Sequence, residues 1–234
     1  TSGEIGDDSI INRSSQVQIG SDSWYQLGGQ SMAIKQDRTI WTWGSGTNGV
    51  TGQNSAIHRS SPVQLGTSSW NYLAASYDHA AAIRTDGLLF IWGTNQSGTL
   101  GDNTVINRSS PVQLGALTWS KVYPGYLRTF AITSTGALFT WGNNFTGQLG
   151  YPSKVHRSSP VQLGTSLWTQ VSLGDGASLM IRTDGALFGT GGQSSGNLGD
   201  NTIISRSSPV QVSTGSWSIL SSMANTNLRI NSQN

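Results

Sequence analysis

The chain has 234 residues, a formal net charge of +2, and charged side chains at only 10% of positions. It contains no cysteine, which excludes a disulfide framework, a thiolate nucleophile and a thiolate metal site. Its charge balance gives no sign of a nucleic-acid partner, and no apolar run nears the 18 residues of a membrane-spanning helix, so no membrane insertion is expected.

Taken from its start, the chain opens within a repeat: Ser2-Gly3-Glu4-Ile5-Gly6-Asp7 matches Ser97-Gly98-Thr99-Leu100-Gly101-Asp102. An Arg-Ser-Ser-x-Val-Gln segment then begins at Arg13 and recurs at Arg59, Arg108, Arg157 and Arg206, at intervals of 46, 49, 49 and 49 residues. Eleven residues after each Arg stands a Trp: Trp24, Trp70, Trp119, Trp168 and Trp217. Periods of this length mark propeller blades or helical arrays.

Residues 108–156 show which. Pro111-Val112-Gln113-Leu114 reads as a strand with proline at its entrance, where the missing N–H costs least. Trp119-Ser120-Lys121-Val122, Phe130-Ala131-Ile132-Thr133 and Ala137-Leu138-Phe139-Thr140-Trp141 are three further short runs. The last two flank Ser134-Thr135-Gly136; the equivalent turns Thr85-Asp86-Gly87 and Thr183-Asp184-Gly185 carry the Asp-Gly hairpin signal. No helical apolar spacing is sustained anywhere. The sequence therefore predicts an all-β β-propeller of four-stranded blades, about five units of 49 residues, in one domain spanning 1–234.

The chain also closes in mid-repeat, since Leu228-Arg229-Ile230 matches Phe130-Ala131-Ile132. Joined end to end, the termini lack one strand of a unit, the Leu-Phe-x-Trp-Gly strand. Two readings stand: the termini share one blade, closing a ring without exposed edges, or these residues are a piece of a longer repeat chain.

Segments such as Ala82-Ile83-Arg84-Thr85-Asp86-Gly87-Leu88-Leu89-Phe90-Ile91-Trp92-Gly93 and Trp141-Gly142-Asn143-Asn144-Phe145-Thr146-Gly147-Gln148-Leu149-Gly150 resemble the repeat of the regulator of chromosome condensation. The resemblance covers the whole chain and implies a β-propeller, usually of seven blades. The chain departs from the pattern in repeat number and at Gly189-Thr190-Gly191, where Trp-Gly is expected. The family's His within the blade is matched at His79; Arg128, Ala177 and Thr226 take the equivalent places. The family's namesake activity, nucleotide exchange on a chromatin-bound GTPase, uses an inserted wedge and a basic tail; these residues show neither, so exchange or chromatin-associated regulation is the least expected alternative.

The Trp set, with Trp92 and Trp141 as the second Trp of each unit, is expected to form the inter-blade core, because each buried indole removes ~150–250 Å² from water. The five Arg are expected to tie down carbonyls of the neighbouring Trp-Gly loop, and the Gly-x-Leu-Gly-Asp segments are read as turns. His58 and His156 occupy a position held elsewhere by Asn12, Asn107 and Ser205, which makes them polar loop residues. His79 beside Asp78 forms an Asp–His pair without a nucleophile or oxyanion site. No catalytic, cofactor or metal site is expected.

Function then falls to loops that differ between repeats at equivalent positions. Tyr77, Asp78, His79, Tyr126, Leu127, Arg128 and Asp175 are the candidate partner-binding residues. The expected role is a non-enzymatic interaction scaffold in a virion, tail fibre or bacterial surface, serving assembly or adhesion. Its partner is another protein or a cell-surface glycan, the latter stacked on Tyr77, Tyr123 or Tyr126; further copies of the chain are possible assembly partners. From the neutral, polar composition a place outside the cell, on a cell surface or on a virion is expected, with the cytoplasm left open.

Overall fold

A computed structural model describes residues 2–29, 31–192, 196–213, 215–223 and 226–231. The first blade is the antiparallel sheet β1 (Trp24–Gly29), β2 (Met32–Lys35), β3 (Ile40–Gly44) and β4 (Arg59–Gln64). The next group is β5 (Trp70–Ala75), β6 (His79–Arg84), β7 (Leu88–Gly93) and β8 (Arg108–Gly125). There follow β9 (Arg128–Thr133), β10 (Ala137–Gly142), β11 (Arg157–Leu173), β12 (Ala177–Arg182), β13 (Leu187–Gly191) and β14 (Arg206–Ser213). β8 and β11 each close one blade with their first half and open the next with their second, which joins β5 to β14 in one hydrogen-bonded series. β15 (Trp217–Met223) and β16 (Thr226–Asn231) form a two-stranded sheet. The architecture is an all-β propeller of four-stranded blades.

Two expectations change in detail. Strands expected at 111–114 and 119–122 are parts of one 18-residue strand, Arg108–Gly125, with Pro111 inside it. Proline is tolerated because the first half of β8 is an edge, pairing only with β7, so its missing N–H breaks no ladder bond. The first motif copy, residues 13–18, forms no strand; the other four copies each pair with the strand that ends in their own blade's Trp-Gly or Thr-Gly.

The core lies between blades. Ile40, Val50 and Leu65 of the first blade pack with Trp70, Leu73 and Trp92 of the second. Leu89, Leu100 and Leu114 pack with Trp119, Val122 and Trp141, and Leu138, Leu149 and Leu163 pack with Trp168, Val171 and Met180. Trp70, Trp119 and Trp168 stand edge-on to Phe90, Phe139 and Phe188, with ring centroids 5.2, 5.4 and 5.5 Å apart, a favoured aromatic geometry. Trp92 and Trp141 are wholly buried, Trp24 and Trp217 half-buried.

Inner strands are clasped across blades by the residue two after Trp24, Trp119 and Trp168. Gln26 Nε2 donates to Leu73 O (2.8 Å), Lys121 Nζ to Thr169 O (2.9 Å), and Gln170 Oε1 accepts from Leu220 N (2.8 Å). Between these strands runs an axial cavity of about 340 Å³, lined by residues including Tyr72, Tyr123 and Leu173.

The repeated motif divides its work by position. Its Arg does not bind carbonyls of the Trp-Gly loop, as expected from sequence, but the Asp six residues earlier. Arg108 Nη2 lies 2.6 Å from Asp102 Oδ2; Arg13–Asp7 and Arg206–Asp200 repeat the pair at 2.8 and 3.1 Å. A carboxylate offers the guanidinium charge as well as acceptors, which carbonyls cannot. Gln53 and Tyr151 replace that Asp in the other two repeats, and there Arg59 Nε and Arg157 Nε lack a hydrogen-bond partner. The Ser after Arg receives the preceding blade: Asp8, Asn54 and Asn103, all with left-handed φ, donate N–H to the carbonyls of Ser60, Ser109 and Ser158 at 2.7–2.8 Å. The motif's Gln closes the next turn, as Gln113 Nε2 does on Gly115 O (2.9 Å).

The Gly-x-Leu-Gly glycines are turn formers, as read, and also spacers. A Cβ on Gly98 would stand 2.5 Å from Ser158 Cα, and one on Gly101 would stand 2.7 Å from Trp141 Nε1.

Candidate functional site

In each antiparallel blade, the loops joining first to second strands and third to fourth strands emerge at the same end. That end is one face of the propeller. The former loops hold Tyr77, Tyr126 and Asp175; the latter hold Ile57, Val105, Ile106, Phe145, Val155, Ile203 and Ile204. Most of the large exposed apolar side chains belong to these loops, and all those just named do. The residue two before each motif Arg is Ile or Val in all five repeats: Ile11, Ile57, Ile106, Val155 and Ile204, each 58–62% exposed. β-branched residues suit the extended entry to a strand, but Thr would serve equally in a chain otherwise rich in polar residues.

One residue further on, the side chain ties its loop. His58 Nδ1 accepts from Gly46 N (3.0 Å), His156 Nδ1 from Asn144 N (2.9 Å) and Asn107 Oδ1 from Asn95 N (2.8 Å). Histidine and asparagine supply the same acceptor, which explains their exchange. Asn95 and Asn144 anchor the loops from within, accepting from Leu100 N and Leu149 N at 2.9 Å while donating to carbonyls across the loop.

The structure divides the candidate partner-binding residues. Tyr77, Tyr126 and Asp175 are exposed, Leu127 half-buried; Asp78, His79 and Arg128 are buried. His79 Nδ1 meets Asp78 Oδ1 at 2.9 Å, and its Nε2 meets Thr129 Oγ1 of the next blade at 2.8 Å. Thr129 Oγ1 in turn donates to Thr99 O (2.9 Å), so His79 Nε2 donates to it. Ser76 Oγ also reaches His79 Nδ1 (2.9 Å). This resembles a Ser-His-Asp set in composition alone. Serine and aspartate meet the same ring nitrogen, while a relay needs opposite ones, and the imidazole is wholly buried. Burial pushes the Asp78 carboxyl up, yet the bonds from His79, Ser76 and Leu127 N outweigh it and hold the group below its ordinary range.

Arg128 takes the same position one blade on. Its guanidinium donates to Asp175 O and Ala177 O (both 3.1 Å) and to Gly174 O, joining the third blade to the fourth. Burial pushes its pKa down to about 10, against the nearby Asp175 charge, which leaves it cationic at neutral pH. Asp78, His79 and Arg128 thus hold the exposed loop tips in place.

Among the described residues, no three His, Cys, Asp or Glu side chains converge as a metal site would require, and no helix is long and apolar enough to cross a membrane.

The sequence profile of the Regulator of chromosome condensation (RCC1) repeat matches residues 86–132 and 135–181, and a second profile of that repeat matches 72–99. Among curated proteins, no sequence matches. The fold is similar to human WBSCR16, with TM-score 0.80 at 21% identity over 93% of this chain and 62% of that one. It is also similar to yeast RCC1 (Prp20) in complex with Kap60, with TM-score 0.80 at 16% identity over 90% and 54%. A structure of Prp20p from Saccharomyces cerevisiae, described with binding to Gsp1p and histones, gives 0.75 at 18% identity over 84% and 52%. The chain spans 52–62% of the length of these three structures.

Proposed function

Because the chain is built of RCC1-type repeats folded as an RCC1-like β-propeller, we propose that it is a non-enzymatic protein-interaction scaffold whose recognition surface is the face described above. One observation carries this reading: an exposed Ile or Val stands at the same loop position in every repeat, around the exposed Tyr77 and Tyr126. Exposed apolar groups gathered on one face mark interaction sites, and rigid blades supply the frame on which loops diverge. The neutral, polar composition favours a place on a virion, tail fibre or bacterial surface, in assembly or adhesion. The Prp20 neighbours bind Kap60, Gsp1p and histones, but at 16–18% identity they lend this chain a fold and not a partner.

Cross-linking through amines in the native assembly tests the proposal. Of the three lysines, Lys35 pairs with Asp22 and Lys121 donates to Thr169 O, whereas Lys154 is exposed on the recognition face. Partner cross-links are expected at Lys154 and should vanish in the combined Ile57→Ser, Ile106→Ser and Val155→Ser variant. A partner that stays cross-linked to this folded variant would refute the assignment of the face.

A further inference from the structure

At the junction of the third and fourth blades the face is sealed: Thr146 Oγ1 of one outer loop donates to Gly176 O of the next inner loop at 3.2 Å. The equivalent junction of the first and second blades is open. A cleft of about 410 Å³ lies there, bordered by Glu4, Ser31, Thr47, Asn48, Tyr77 and Asp78. The sequence accounts for the difference. Gly46 stands where Asn95 and Asn144 anchor their loops, and a Cβ at Gly46 would stand 2.4 Å from Ile57 O, so the anchor cannot form. Instead the loop takes a short 3-10 turn with Asn48 at φ 56°.

We propose that this cleft is a saccharide-binding site for a neutral or amino-sugar ring. Tyr77, 79% exposed, offers a flat aromatic face for the apolar side of a pyranose. Around it stand hydroxyl, amide and carboxylate groups, which match the alternating donors and acceptors of sugar hydroxyls. Backbone N–H groups of Glu4 itself and Ser2 hold the Glu4 carboxyl at about 2, so it acts as an acceptor near neutrality. Among the described residues, no lysine, arginine or histidine borders the cleft. That charge pattern rejects acidic sugars. A lysine or arginine side chain of a protein would also suit negative charge. The saccharide is favoured because Asp78 is already engaged by His79, Ser76 and Leu127 N, within a lining of short hydroxyl and amide groups.

This site lies on the face assigned above but does not depend on that assignment, and its test reads ligand binding and not cross-links. Saturation-transfer NMR and calorimetry on the intact chain would use glucose, galactose, mannose, N-acetylglucosamine and glucosamine, with sialic acid, glucuronic acid and a Lys/Arg-containing peptide as comparators. At least one neutral or amino sugar should bind, the acidic sugars should not, and Tyr77→Ala should weaken binding at least ~10-fold, a loss of about 1.4 kcal/mol. Leu117→Ala, exposed at the opposite end of the blades and outside the cleft, should leave affinity unchanged. Tyr77 is exposed, so an unchanged melting temperature verifies that the variant folds. The inference is overturned by silence of all five sugars at millimolar concentration, by equal binding of acidic sugars, by binding of the peptide alone, or by full affinity in Tyr77→Ala.

Discussion

Gly101 lies against the indole of Trp141 in the following blade, so near that an added Cβ would stand 2.7 Å from Nε1. The same relationship joins Gly52 to Trp92 and Gly6 to Trp43. The last glycine of these three turns therefore gives the next blade's tryptophan its room, whereas Gly150, ahead of a blade with Thr190 in place of that tryptophan, meets Leu163 and Pro209.

Gly101→Ala should destabilise the fold by roughly 2–4 kcal/mol, combining the cost of a left-handed non-glycine residue with overpacking against a buried indole. Gly115→Ala separates the two terms, because Gly115 has a similar φ of 62° but nothing within 4 Å of its Cβ position. Its loss should be about 1 kcal/mol. Equal denaturation midpoints for the two variants would disprove the packing role.

Arg108→Ala should lower the denaturation midpoint while leaving partner binding intact. The guanidinium is about a third exposed, so a coupling of no more than ~1 kcal/mol is expected from a double-mutant cycle with Asp102→Asn. Arg59→Ala should cost less, since Gln53 stands where the partner Asp would be. A larger loss for Arg59→Ala than for Arg108→Ala contradicts the pairing.

The same pair predicts an acid limb. Burial pushes the Asp102 carboxyl up, but Thr104, Arg108 and Asn95 outweigh it and leave the folded pKa below the ordinary value of 3.8. A depressed folded pKa gives stability that is present above the unfolded pKa of about 3.9 and lost as pH falls through the folded one. Urea midpoints measured from pH 6 to pH 2 should fall below pH 4, and the fall should be shallower in Asp102→Asn. An identical slope in both proteins would exclude a contribution from Asp102.

His79→Ala should cost roughly 2–4 kcal/mol, because it strands the Asp78 carboxylate and removes the donor to Thr129 across the blade junction. The loss should appear in thermal unfolding, with hydrogen exchange accelerated in both β6 and β9. Exchange confined to β6 would show that the bond does not couple the blades.

The period, the strand-rich unit, the tryptophan core and the turns were legible because each recurs, and recurrence separates a structural rule from chance. The Arg–Asp pair was legible too, through an Asp six residues before Arg13, Arg108 and Arg206. The signal lay in its gaps at Gln53 and Tyr151, and reading the motif alone hid it. Divergence between repeats was a weaker guide. It marked the exposed Tyr77 and Tyr126, but equally His79 and Arg128, which are buried and differ because each blade junction is closed by its own set of hydrogen bonds. The open cleft at Gly46 had only a negative signature, a missing asparagine whose anchoring bonds sequence spacing does not disclose. Thr226, the last of the His79 equivalents, has its side chain outside the described residues.

The left-handed Asp8, Asn54 and Asn103 donate forward to Ser60, Ser109 and Ser158, so each of these outer loops depends on the blade that follows it. Cutting away a downstream neighbour deprives the preceding outer loop of its acceptor; cutting away an upstream one leaves the later loops anchored. Truncations of equal length from opposite sides are therefore unequal perturbations, and loosening of the outer loops travels backward from the site of loss.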